Sequence, residues 1–230
     1  MIRTLAALVA IGCACKGHQP PPPTKGGMAA AADPWGVPAA TGNVAAETPA
    51  ARKQRAEQAL ARVAQIMPKL AKLRGLAFDR EVPREYQTAA EFRAFVRGEI
   101  ARDLPAQQAA DTSAALFHIG LMNRPGNLAA LEEQALTSEA GAYYDPRKKK
   151  FFLVMVPPTD LMLDTMSAHE LTHALQDQHF DLDAFMPPGP ASDTLDADHQ
   201  IARRFVAEGD ATFTMFLYAL GSFGKDVTPG

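Results

Sequence analysis

Cysteine is nearly missing from this chain. Among 230 residues only Cys13 and Cys15 occur, both close to the N-terminus. The body of the protein therefore holds no disulfide and no thiolate ligand, and any metal site in it must be built from His, Asp and Glu. A large excess of charge is missing too: 23 Lys and Arg stand against 26 Asp and Glu, a formal net charge of −3. Nucleic acid calls for a basic surface, so the balance gives no electrostatic case for it. No internal repeat is visible. The length suits one sizeable core, with no clear case for two large domains.

The N-terminus reads as an export signal. "MIRTLAALVAIGCACKGHQ" has Arg3, an apolar run from Leu5 to Ile11, and small residues before a cysteine. The run is too short to span a bilayer stably. "VAIGC" resembles a bacterial lipobox, which makes Cys13 the candidate acylated residue, with Cys15 the weaker one. An ordinary cleaved secretory signal is the simpler alternative. The expectation is a lipoprotein of the cell envelope, at the outer membrane or cell surface and facing away from the cytoplasm. Residues 1–15 would then be signal and lipobox. The Pro-, Gly- and Ala-rich stretch 16–49, with Trp35 as its one large aromatic, would be a disordered tether. Residues 50–230 would be the folded domain.

Within that domain the pattern is mostly helical. "AARKQRAEQALARVAQIMPKLAKL", Ala50–Leu73, keeps apolar residues at helical spacing, with Pro68 expected to kink or split the helix. "REVPREY" predicts a short extended piece that Pro83 keeps out of a central strand. Helices follow over Ala89–Arg102, Ala106–Leu121 and Leu128–Leu136. Two runs, Gly141–Tyr144 and Phe151–Val156, predict a β-hairpin around a solvated basic tip, Arg147–Lys150. A helix starting at Thr159 or Asp160 and another over Leu195–Leu220 complete an α+β order dominated by helix.

The first of these last two helices carries "SAHELTHALQDQHF", Ser167–Phe180. On a helix, residues four apart lie about 40° apart in projection, so His169 and His173 point the same way one turn apart. Two imidazoles so placed can share one zinc ion. Glu170, on the flank of that face, is placed to take a proton from water that the metal activates. Three fixed residues in five are only moderately specific, and the bland alternative is two surface histidines on an amphipathic helix.

"AHELTHALQDQHFDL" followed by "VAEGDAT" resembles the zincin metallopeptidases, and among them the gluzincins, over roughly Gly141–Leu220. The resemblance implies a zincin-like domain with a small sheet beside the active-site helix. It also implies Zn2+ as cofactor, a peptide or protein as substrate, His169, His173 and Glu208 as ligands, and Glu170 as general base. The rival is a zincin-like lipoprotein that keeps a metal for stability or binding alone; Glu170 speaks against it, since a structural site has no use for a base. This sequence departs from the family pattern in two ways. Where thermolysin-type members carry an Asp to orient a histidine, it has Thr212, and the nearby acid is Asp210. Gluzincins also supply an oxyanion-stabilising His or Tyr from further downstream, whereas here only Tyr218 follows Glu208, among core-like neighbours. The domain is therefore expected to be either reduced or truncated at its C-terminus.

His179 stands six residues after His173, the spacing at which metzincins place a third histidine. That arrangement needs a glycine turn, and the position holds Gln176. A helix running straight on would carry His179 about 9 Å along its axis, out of reach. Asp177, Asp181 and Asp183 could form a calcium site or bond the ligand histidines, though a solvated loop is the simpler expectation. His118 is expected to be a half-buried core residue and His199 to be solvated. Gln176 and Gln178 carry no expected role.

Overall fold

The computed structural model describes residues 48–187, 197–224 and 227. The expected signal, both cysteines and nearly all of the tether lie outside them.

Helix α1 spans Pro49–Ala64 and α2 spans Ile66–Arg74. Thr48 caps α1, its hydroxyl accepting from the Ala51 N–H. The expected split occurs, and it falls at Gln65, three residues ahead of Pro68. The cause is local: Pro68 has no N–H to give the carbonyl of Ala64, and its ring would collide with that carbonyl, so α1 ends there. Gly75, at φ 66°, closes α2 in the left-handed region.

Strand β1 (Arg84–Tyr86) leads into α3 (Ala89–Asp103) through a reciprocal cap. The Thr88 hydroxyl accepts from the Glu91 N–H while the Glu91 carboxylate accepts from the Thr88 N–H. Helices α4 (Ala106–His118) and α5 (Leu128–Glu139) follow. Within α4 only Ser113 is fully buried, so the helix lies on the surface. His118, at its last turn, is exposed and not half-buried in a core as its apolar neighbours suggest.

The sheet has order β1-β3-β2. β2 (Ala142–Asp145) and β3 (Lys150–Leu153) form the antiparallel hairpin, and β1 adds in parallel along β3. Pro83 sits at the start of an edge strand, where a missing donor costs least. β3 ends at Leu153, short of Val156, because the N–H groups of Val154 and Met155 both turn to the Gly141 carbonyl. The side chains alternate between two cores. Ala142, Tyr144, Phe151 and Leu153 pack with α1, α2 and the helix that follows. Tyr143, Phe152 and Val154 pack with Phe92, Val96 and Ile100 of α3 and Leu136 of α5.

That following helix, α6 (Asp160–Phe180), starts at Thr159, whose hydroxyl accepts from the Met162 N–H. Every residue from Ser167 to Asp177 is buried. α1, α2, β2, β3, the short α7 (Leu182–Phe185) and α8 (Ala197–Ser222) all touch it. α8 packs one face on α6, and its outer face leaves Ile201, Phe205, Phe213 and Phe216 exposed. The class is α+β, mostly helical, with the small sheet beside α6.

The basic hairpin tip is more than a solvated turn. Arg147 pairs with Glu99, Lys148 with Asp145, Lys149 with Asp177 and Lys150 with Glu85, so the tip is stapled to its surroundings. Asp177 is the main anchor. Its carboxylate accepts from the Tyr144 hydroxyl at 2.7 Å, from Lys149 Nζ at 2.9 Å and from the Leu182 N–H at 3.1 Å. The simpler expectation, a solvated acid, does not hold here, because β2 and α7 close over it. Asp181, by contrast, caps α7 through the Ala184 N–H.

Asp177→Ala leaves the Tyr144 hydroxyl and the Leu182 N–H without an acceptor in a buried place and frees Lys149 to water. A loss of roughly 2–4 kcal/mol is expected in denaturant unfolding, against about 1 kcal/mol for Tyr144→Phe. Equal, small losses for both variants would show that Asp177 is no anchor.

Candidate metal centre

Three side chains meet between α6 and α8. His169 and His173 project from one face of α6, and Glu208 from the middle of α8 faces them; all three are buried. The Nε2 atoms of the two histidines lie 3.2 Å apart. Glu208 Oε2 lies 3.2 Å from His169 Nε2 and 3.5 Å from His173 Nε2. Ligand atoms at 2.0–2.1 Å from a tetrahedral ion stand about 3.3–3.4 Å from one another, so the spacing suits three vertices of such a site.

The hydrogen bonding agrees with that fit. Both oxygens of Glu208 and Nδ1 of His169 are buried without a hydrogen-bond partner among the described residues. Two imidazole nitrogens and a carboxylate oxygen turned on one another, with no other donor to Glu208 among the described residues, are suited to a cation. The donor set, two nitrogens and one oxygen, is of the kind zinc takes.

Glu170 lies beside the cluster with a different partner. Its Oε2 accepts the Tyr144 N–H of β2 at 2.9 Å. Burial raises its carboxyl above the ordinary 4.5, against the opposing pull of the His169 and His173 rings. A carboxyl raised toward neutrality is better suited to accept a proton and give it back.

His179 stays away from this centre. α6 runs straight through to Phe180, and the His179 Nε2–H donates to the Ala77 carbonyl at 2.7 Å. The neighbouring Gln178 clasps the same loop, accepting from the N–H groups of Asp79 and Arg80 and donating to the Arg80 carbonyl. Tyr218 is buried in the main core, as its neighbours imply. His199 is exposed.

Sequence reasoning missed Gln176. Its Oε1 lies 2.9 Å from His173 Nδ1, and its Nε2 donates to the Ala207 carbonyl at 3.0 Å and to Asp210 Oδ2 at 2.8 Å. Asp210 in turn pairs with Arg74 at 3.0 Å. The available signal was the i, i+3 spacing from His173, which puts a side chain beside a ring. An apolar cavity of about 510 Å³ opens next to this group, lined by Phe180, Leu182, Phe185 and Val206 as well as Arg74, Gln176 and Asp210.

Comparison of the chain with known protein families, with curated proteins and with solved structures gave no match.

Without a metal the cluster is an ion pair. Burial works against a charged imidazole at His173, but Glu208 outweighs it and pushes the ring up from 6.5 to about 9. Burial also works against the Glu208 carboxylate, yet the two rings hold it down at about 2. The raised group contributes stability that is whole below its unfolded value and lost as pH climbs through its folded one; the lowered group does the reverse on the acid side. Protein treated with chelator is therefore expected to be most stable between pH 4.5 and 6.5, weakening toward 9 and toward 2. Glu208→Gln should flatten the alkaline fall. Thermal melts of both proteins across this range decide it, and parallel curves would remove the pair from the account.

Proposed function

We propose that this chain is a zinc-dependent peptidase of gluzincin type. The observation that carries the reading is the convergence of His169, His173 and Glu208 at 3.2–3.5 Å, with a buried carboxylate, Glu170, beside them. His169, His173 and Glu208 would hold the ion. A bound zinc ion would polarise a carbonyl as a Lewis acid and bring the pKa of water to about 7.

The remaining work falls to Glu170. Its Oε2 is occupied by the Tyr144 N–H, which leaves Oε1 as the proton-accepting atom. The proton taken there from the attacking water returns to the leaving amine nitrogen, so the carboxyl ends the cycle as it began. The fixed Oε2 contact keeps the carboxylate plane from turning away between the two transfers.

Zinc content by mass spectrometry and cleavage of an unstructured protein, with and without chelator, test this directly. Glu170→Gln removes a proton acceptor and no ligand. It is expected to keep about one equivalent of zinc while turnover falls by roughly 10²–10⁴. His173→Ala should lose both. Full turnover in Glu170→Gln would end the peptidase mechanism. Zinc bound by wild type without any cleavage would favour the structural or binding role.

The same reading places the protein outside the cytoplasm, anchored by acyl chains on Cys13. What supports it is the lipobox-like "VAIGC". Labelled fatty acid should enter the wild type and not Cys13→Ser; labelling lost only with Cys15→Ser would move the anchor, and an unlabelled wild type would sink it.

A further inference from the structure

Gln176 stands where its amide has a single workable orientation. Two of its neighbours can only accept: the Ala207 carbonyl at 3.0 Å and the Asp210 carboxylate at 2.8 Å. An amide oxygen turned toward them would meet two oxygens at contact distance with no proton between. The nitrogen must therefore lie on that side, and the oxygen must face His173 Nδ1, 2.9 Å away. An amide oxygen is itself only an acceptor, so Nδ1 has to carry the hydrogen. In a neutral imidazole that leaves the lone pair on Nε2, the atom directed at His169 and Glu208.

Asp210 is fixed in the same manner. Arg74 reaches its Oδ1 at 3.0 Å, so the other oxygen is presented to Gln176. Donation thus runs from the ring of His173 through Gln176 to Asp210, whose other oxygen accepts from Arg74. The neighbouring ligand has no comparable support, because His169 Nδ1 is buried without a hydrogen-bond partner among the described residues.

We propose that Arg74, Asp210 and Gln176 form a relay that sets the tautomer and ring orientation of His173 for metal binding. The relay rests on the metal reading of the site. Gln176 is a positioning residue that acts only through His173. It does from inside α6 what Thr212, at the place of the expected acid, does not, and it explains how Asp210 acts on a ring without reaching it directly. Removing partners of this type typically costs 10–100-fold in metal affinity.

The relay makes a claim about polarity that packing alone does not. Gln176→Glu puts an oxygen opposite the Asp210 oxygen, and Asp210→Asn, whose oxygen must stay on the side of the Arg74 guanidinium because that group only donates, puts a nitrogen opposite the Gln176 nitrogen. Each change is isosteric, and each breaks the same bond. Combined, they reverse it: the amide introduced at position 210 donates to the carboxylate introduced at position 176, which still accepts from His173 Nδ1. The experiment is zinc affinity, measured by competition with a chromogenic chelator, for wild type, both single variants and the double variant, with circular dichroism melts to check folding. Each single variant is expected to weaken zinc binding roughly 10–100-fold. The double variant should recover a large part of that loss, short of full recovery because the Ala207 carbonyl then faces an oxygen. Single variants that bind zinc like wild type would overturn the relay while leaving the metal site intact. Losses that simply add in the double variant would overturn it as well, leaving Gln176 a packing residue. A wild type that binds no zinc would instead overturn the metal reading on which the relay stands.

Discussion

A carboxylate buried against two imidazoles, with neither oxygen hydrogen-bonded among the described residues, is the constraint on which the rest of this structure depends. Moving such a charge out of water is costly unless a cation answers it. Among the described residues, what can answer Glu208 is a proton on the facing rings, or else a metal ion among them. For that to hold, α8 must lie against α6 at one register, and α6 must sit inside the protein along most of its length. The sheet, α1 and α2 supply that enclosure. Arg62 of α1 fastens the exposed start of α6 through both oxygens of Asp164.

Enclosing α6 creates a second requirement, since its buried stretch carries seven polar side chains: Ser167, His169, Glu170, Thr172, His173, Gln176 and Asp177. The helical period sorts most of them into stripes. His169, His173 and Gln176 face α8, and Glu170 and Asp177 face β2 and the hairpin. Thr172 returns its hydroxyl to the Ala168 carbonyl one turn back. A helix that is polar on buried faces is stable only when nearly every group has a partner. Among the described residues two groups of this helix lack one, Ser167 Oγ and His169 Nδ1, and the second belongs, with Glu208 of α8, to the cluster suited to an ion.

Much of this could be read from the residues. Periodicity located the helices, and the i, i+4 histidines needed nothing beyond helix geometry to point together. Pro68 and Thr159 marked a break and a start through local sterics and capping. Glu208 came from resemblance to a motif, and its approach to α6 depends on a loop whose path no spacing rule fixes. Gln176, Asp177 and Lys149 were misjudged or passed over for one shared reason. Their partners come from α6, α7, α8 and β2, and a polar residue reads as solvated until the element that covers it is known. His118 failed in the opposite sense: apolar neighbours suggested a core, but α4 lies on the surface.

One residue of the hairpin touches α6 twice. The Tyr144 backbone holds Glu170 and its hydroxyl holds Asp177, two turns further on, about 10.5 Å along the helix. A strand tied at one point can pivot; tied at two separated points, it cannot rotate about either without breaking the other. Lys149, in the left-handed region at φ 53°, adds a third tie from the turn to the same Asp177. Strand and helix thus behave as a braced frame, and the Glu170 carboxylate is one of its joints. Any displacement of the hairpin large enough to matter would be transmitted to that carboxylate as a change of angle, which makes β2 a lever on Glu170 as well as a wall beside it.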